Sequence, residues 1–150
     1  MNNQNKAEAI NLIEPEIVNK WRIEQAELKK KLILDDTEQW QINRFLYNEK
    51  EGNLNGLRFI AGLDISFVKN ENKACAGLFV FDLSNNLDLI YRDLDLIEMN
   101  QPYVPGFLAY REAPFLIDKL QKLKTTKPEI YPQCTLTFFS FEYITNKIIN

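Results

Sequence analysis

At 150 residues, with 45% hydrophobic and 12% aromatic side chains, the chain has the size and apolar content of one globular domain and is not a disordered segment. A net charge of −3 provides no general field for attracting nucleic acid, so such a partner must be held by local groups or by metal. There is no histidine, which excludes imidazole bases and imidazole metal ligands; the two cysteines, Cys75 and Cys134, lack the spacing of a zinc site or a disulfide framework and read as free thiols.

Residues 1–14 are polar and Asn-rich and read as a flexible N-terminus. They lack the apolar core of a signal peptide, and no run in the chain nears the roughly 20 apolar residues of a membrane helix, so an intracellular protein without a membrane partner is expected. From Pro15 to about Leu34 the pattern is helical, with Trp21, Leu28 and Leu32 on one stripe and Lys29, Lys30 and Lys31 mostly off it. The lysines either touch phosphate or form a solvated face. Asp35, Asp36 and Thr37 stop this helix and restart a short turn through Trp40, and residues 48–56 form a loop.

Three strands follow. Residues 57–68, LRFIAGLDISFV, are apolar on both faces, which predicts a central strand covered on both sides. Residues 74–82 and 87–97 are the next two, and connections as short as 70–73 and 84–86 favour an antiparallel meander. Gly106 and Pro114 bracket the start of a helix, placed near Tyr110–Ala113 because proline is tolerated in a first turn, and running to about Lys124. After a loop over 125–133, residues 134–141 read as a fourth strand. No linker divides the chain, so 15–150 forms one domain of α/β class.

Two acids are out of place in this pattern. Asp64 sits in the middle of an apolar strand, where an ionised carboxylate is costly unless paired or bound to metal. Glu112 shares a helical face with Leu116, Leu120 and Leu123, so it points toward the sheet from the end of the helix that favours negative charge. A helix packed back over the first strand brings the two together. They are then either separate salt bridges to Arg58, Arg92 or Arg111, or a site for a hard divalent cation such as Mg²⁺. Upstream, Pro102-Tyr103-Val104-Pro105 fixes φ at two positions around an aromatic. Such a loop suits a wedge inserted into a base stack, or a tyrosine packed on the domain edge.

Together, FIAGLDISFVK at 59–69 and PYVPGFLAYREAPFL at 102–116 resemble endonuclease V, a nuclease family that cuts beside deaminated bases, and the likeness covers roughly residues 20–133. The resemblance implies an RNase H-like fold, with Asp64 a Mg²⁺ ligand (Mn²⁺ as a substitute) and Glu112 a catalytic or metal-associated acid. Pro102, Tyr103, Val104 and Pro105 would be the strand-separating wedge, and Gly106 would let the backbone approach nucleic acid. It further implies hydrolysis of the second phosphodiester 3′ to inosine or a similar base in DNA or RNA, leaving a 5′-phosphate and a 3′-hydroxyl, in the nucleus, nucleolus or cytoplasm. The family pattern continues into a strand ending Asp-Gly-Asn-Gly, whose Asp is the second metal ligand; an ungapped continuation puts Phe138 there, and Glu142 has no claim to the role. The chain therefore reads as truncated or divergent after about residue 133, and a catalytically inactive fragment that retains nucleic-acid binding is the alternative.

Overall fold

The computed structural model describes residues 15–42, 56–101 and 104–137. The expected N-terminal flexibility, most of the loop at 48–56 and the end of the fourth strand lie outside these residues. Helix α1 spans Pro15–Lys29 and opens on a proline, whose missing N–H is harmless in a first turn. It stops short of Leu34, so Leu32 falls beyond the helix, and both Leu28 and Leu32 are exposed; the expected stripe does not form. A single turn, α2, spans Gln39–Ile42, with the Gln41 side chain accepting from the Thr37 and Glu38 N–H groups.

Strands β1 (Phe59–Phe67), β2 (Lys73–Asp82) and β3 (Asp88–Glu98) form the expected antiparallel meander, with Leu63 opposite Leu78 and Leu78 opposite Asp93. Asn70 and Asn86 take positive φ in the two turns, a conformation asparagine tolerates better than most residues. Helix α3 (Leu108–Thr126) follows, and then β4 (Cys134–Thr137) pairs parallel to β1, giving the order β3-β2-β1-β4.

One face of this sheet is covered. Ala61, Leu63 and Ile65 of β1 and Ala74, Ala76, Leu78 and Val80 of β2 pack with Leu116, Leu120 and Leu123 of α3. Strand alternation turns Gly62, Asp64 and Ser66 the other way, and there Leu94, Leu96 and Leu136 are exposed. A β1 covered on both sides is therefore corrected: among the described residues it is covered on one. The alternation Gly62-Asp64-Ser66 carried that signal, but flanking Phe59, Ile60, Phe67 and Val68 made both faces look apolar.

Charge also enters the covered face. Lys119 of α3 is 4% exposed, with its Nζ 3.3 Å from Asp93 and 2.7 Å from Asp95 of β3. Lys122 adds a contact to Asp93 at 2.8 Å. Asp93 is itself buried, and hydrogen bonds from the two lysines hold its carboxyl below the usual range against the cost of burial. This cluster fixes the helix along β3 and so sets where its N-terminal turns lie.

Candidate functional site

The helical count places Glu112 with Leu116, Leu120 and Leu123, and all four are buried; Glu112 is 5% exposed. Burial is the main force on its carboxyl, which is pushed up to about 7; the Arg111 charge opposes that shift and the Asp64 charge adds to it. No hydrogen bond contributes to holding the charged form.

The N-terminal turns of α3 are set against the C-terminal end of β1, where the Arg111 guanidinium lies 4.9 Å over the Phe67 ring. Arg111 Nε is buried without a hydrogen-bond partner among the described residues. A cavity of about 210 Å³ adjoins it, lined by Glu98, Asn100, Gln101 and Tyr110 among others.

Asp64, three residues before Phe67, is exposed, and its cross-strand neighbour is Gly77. A Cβ on Gly77 would stand 3.0 Å from Phe79 and 3.1 Å from Leu94, whereas one on Gly62 would meet nothing within 4 Å. Phe79 and Leu94 thus lie over Gly77, while the space at Gly62 is open, and the Asp64 carboxylate is exposed on the uncovered face. Of the arginines weighed as salt-bridge partners, Arg58 is engaged elsewhere: its Nη2 lies 3.0 Å from Asp82, which also accepts from Ser84. Asp64 takes part in none of the ion pairs among the described residues. The Asp64 charge thus reaches Glu112, and among the described residues neither acid is held in an ion pair, although the Arg111 charge acts on Glu112.

Two carboxylates of this kind fit a hard cation by donor type, since Mg²⁺ and Mn²⁺ accept carboxylate oxygens and retain waters. In number they are few: among the described residues no group of three or more acidic, Cys or His side chains gathers as a ligand set. The family-pattern position at Phe138, and Glu142 with it, lies outside the described residues.

Pro102 and Tyr103 of the proposed wedge also lie outside them. Val104 is buried, Pro105 half-buried and Gly106 exposed, with Gly106 at φ +86°. Open space surrounds the place where a Gly106 Cβ would sit, so glycine is needed there for its backbone angle and not for clearance. Sequence reasoning did not single out Gln25, Phe107 or Tyr110, and read Trp21 only as part of a helix stripe; the four meet just beyond this glycine. The closely spaced aromatics at 107 and 110 were the available signal. Among the described residues no helix is long and apolar enough to cross a membrane.

Comparison with known proteins gives this arrangement a context. The chain is 38% identical to endonuclease V of Mus musculus over 122 residues, covering 81% of this chain and 33% of that protein. Against endonuclease V of Homo sapiens it is 37% identical, covering 81% of this chain and 40% of that protein. It thus spans well under half the length of the curated relatives it matches. The crystal structure of the catalytic domain of human endonuclease V superposes with a TM-score of 0.72 at 35% identity, covering 83% of this chain and 48% of that one. Ciona intestinalis endonuclease V, solved in complex with a 23mer DNA containing an inosine followed by a ribo-adenosine, superposes with a TM-score of 0.64 at 25% identity, covering 83% of this chain and 46% of that one. The mixed sheet with its packed helix is accordingly RNase H-like, as expected. The Endonuclease V family model matches residues 41–136, well over half of the chain, and the chain belongs to that family.

Proposed function

We propose that this chain carries part of a metal-dependent endonuclease site acting beside deaminated bases. The observation that carries the reading is the pairing of an exposed Asp64, outside every ion pair among the described residues, with a buried Glu112 whose carboxyl the Asp64 charge helps to raise. Family membership supports it, as do the Ciona relatives solved with inosine-containing DNA. Asp64 and Glu112 would hold Mg²⁺ or Mn²⁺, leaving further positions to water and substrate phosphate. When bound, such a cation polarises the phosphodiester and lowers the pKa of its water.

The remaining roles fall to the chain itself. Without metal the Glu112 carboxyl, pushed up to about 7 by burial, is partly protonated at neutral pH, so it would give up a proton in taking the cation. Pro102-Tyr103-Val104-Pro105 holds the strands apart, anchored by the buried Val104, and Gly106 brings the backbone close to the nucleic acid. The product is a cut at the second phosphodiester 3′ to inosine, leaving a 5′-phosphate and a 3′-hydroxyl.

A second reading, a non-catalytic binder of nucleic acid, is favoured by one observation: a third ligand does not join the two acids among the described residues. Incubation with Mg²⁺ and inosine-containing single-stranded RNA or DNA separates the two. Cleavage one bond beyond inosine that disappears in Asp64→Ala upholds the nuclease. Absence of cleavage at every protein concentration, with a metal-independent gel shift weakened by Tyr103→Ala, leaves only the binder.

A further inference from the structure

We propose that helix α1 is a clamp on the hinge of the 102–106 loop, and that Trp21 and Gln25 are positioning residues for that loop. The proposal rests on the reading of the loop as a strand-separating wedge. No residue of α1 is buried, and Ile17, Ile23 and Leu28 are exposed, so core burial does not account for its docking. Its ring and hydrogen-bond contacts to the rest of the chain instead converge, among the described residues, on 106–110. The Trp21 ring stacks on Tyr110, with centroids 5.1 Å apart and planes 21° from parallel, and lies 5.9 Å from Phe107. The Tyr110 hydroxyl donates to the Trp21 carbonyl at 2.9 Å, and the Gln25 side-chain amide donates to the Gly106 carbonyl at 3.3 Å.

The need for such a clamp follows from Gly106. Its φ of +86° lies in a region that glycine enters and leaves at little steric cost, and the turn across it is closed by the Phe107 N–H bond to the Val104 carbonyl at 3.0 Å. Whatever freedom remains at that glycine is given up on binding, and its ordering entropy subtracts from affinity. Gln25 holds the Gly106 carbonyl and Trp21 the rings of Phe107 and Tyr110, so the C-terminal foot of the loop is set before nucleic acid arrives. Burial and the nearby Glu24 charge raise the Tyr110 hydroxyl pKa, which keeps this hydrogen bond's donor protonated.

The test uses the full chain without divalent metal and a fluorescein-labelled single-stranded DNA carrying one deoxyinosine. Trp21→Ala is expected to weaken binding roughly tenfold, the worth of an aromatic pair with its ordering effect. Trp21→Phe, which keeps a ring, should restore most of it, and Gln25→Ala should weaken binding in the same direction by less. The loss from Trp21→Ala should vanish in a Tyr103→Ala background; an equal loss in both backgrounds overturns the positioning role.

Amide hydrogen exchange on the free protein decides the clamp itself, through the Phe107 and Tyr110 amides, which bond to the Val104 and Phe107 carbonyls. Both Trp21→Ala and Gln25→Ala should speed their exchange while the β1–β2 amides keep their protection; unchanged exchange at 107 and 110 overturns the clamp. Should Tyr103→Ala bind as tightly as the unaltered chain, the wedge reading and the positioning role fall, and the exchange result still stands for or against the clamp.

Discussion

Glu112 takes up a proton on folding, because burial raises its carboxyl from an ordinary 4.5 to about 7. Below the ordinary value both folded and unfolded chains are protonated, and the fold has its full stability. Between 4.5 and 7 the unfolded chain loses its proton while the folded chain keeps it, so a destabilisation on the order of 3 kcal/mol builds up and is complete once the buried carboxyl ionises above 7. Glu112→Gln should therefore raise the melting temperature at pH 8 and leave it nearly unchanged at pH 4.5, by calorimetry without metal. A gain independent of pH would refute the raised carboxyl. At pH 8, Mg²⁺ should raise the melting temperature of the unaltered chain but not of Glu112→Gln or Asp64→Asn.

Asp82 has the opposite sign. The Arg58 guanidinium holds its carboxyl low, so its contribution is present above the unfolded pKa and fades as the pH falls. The inward turn of Glu112 was legible in the sequence because helical spacing alone decides it. The uncovered face that carries Asp64 was not legible, because strand alternation was masked by apolar residues at both ends of β1.

At the scale of elements, α3 departs from expectation at its start. It begins at Leu108, which leaves Pro114 inside the helix and not in its first turn. Proline has no N–H to offer the Tyr110 carbonyl, so the helix crosses one missing bond, held by the buried leucines that follow. Residue-by-residue rules set the start near Tyr110–Ala113, just ahead of the proline; packing overrode them. The same helix depends on Lys119, whose burial no local pattern announced, since its partners Asp93 and Asp95 belong to β3.

Lys119→Ala leaves Asp93 buried with one partner fewer and should cost about 3 kcal/mol in urea denaturation. The paired change Lys119→Met with Asp93→Leu should recover much of that, because no buried charge is left unmatched and the partners that remain, Asp95 and Lys122, are exposed to water. A Lys119→Ala variant as stable as the parent would show that the cluster only accompanies the packing.

At the scale of the molecule, the two faces of the sheet differ. α3 covers one; on the other, Leu94, Leu96 and Leu136 are 52%, 70% and 51% exposed near Asp64. Exposed apolar surface of this extent drives association. Leu96→Lys should reduce concentration-dependent self-association in sedimentation velocity without lowering the melting temperature, since Leu96 has little contact to lose. The meander and the helix were legible from turn residues and apolar period. The parallel placement of β4 against β1 was not, because nothing within residues 134–137 encodes which edge they join.

That placement is secured by Gln133. Its side-chain oxygen accepts from the Arg58 N–H at 3.1 Å and the Phe59 N–H at 2.8 Å, its amide donates to the Gly56 carbonyl, and its own N–H donates to the Phe59 carbonyl at 3.0 Å. The partners are 74 residues apart along the chain at Phe59, so the latch closes across the meander and the helix that follows it. During synthesis the meander leaves the ribosome first, at about 5–20 residues per second, and the inner edge of β1 stays unpaired for seconds until Gln133 emerges. An open strand edge is where newly made chains join one another wrongly. The fold is thus most exposed to aggregation in that interval, and slower translation between codons 67 and 133 would lengthen it.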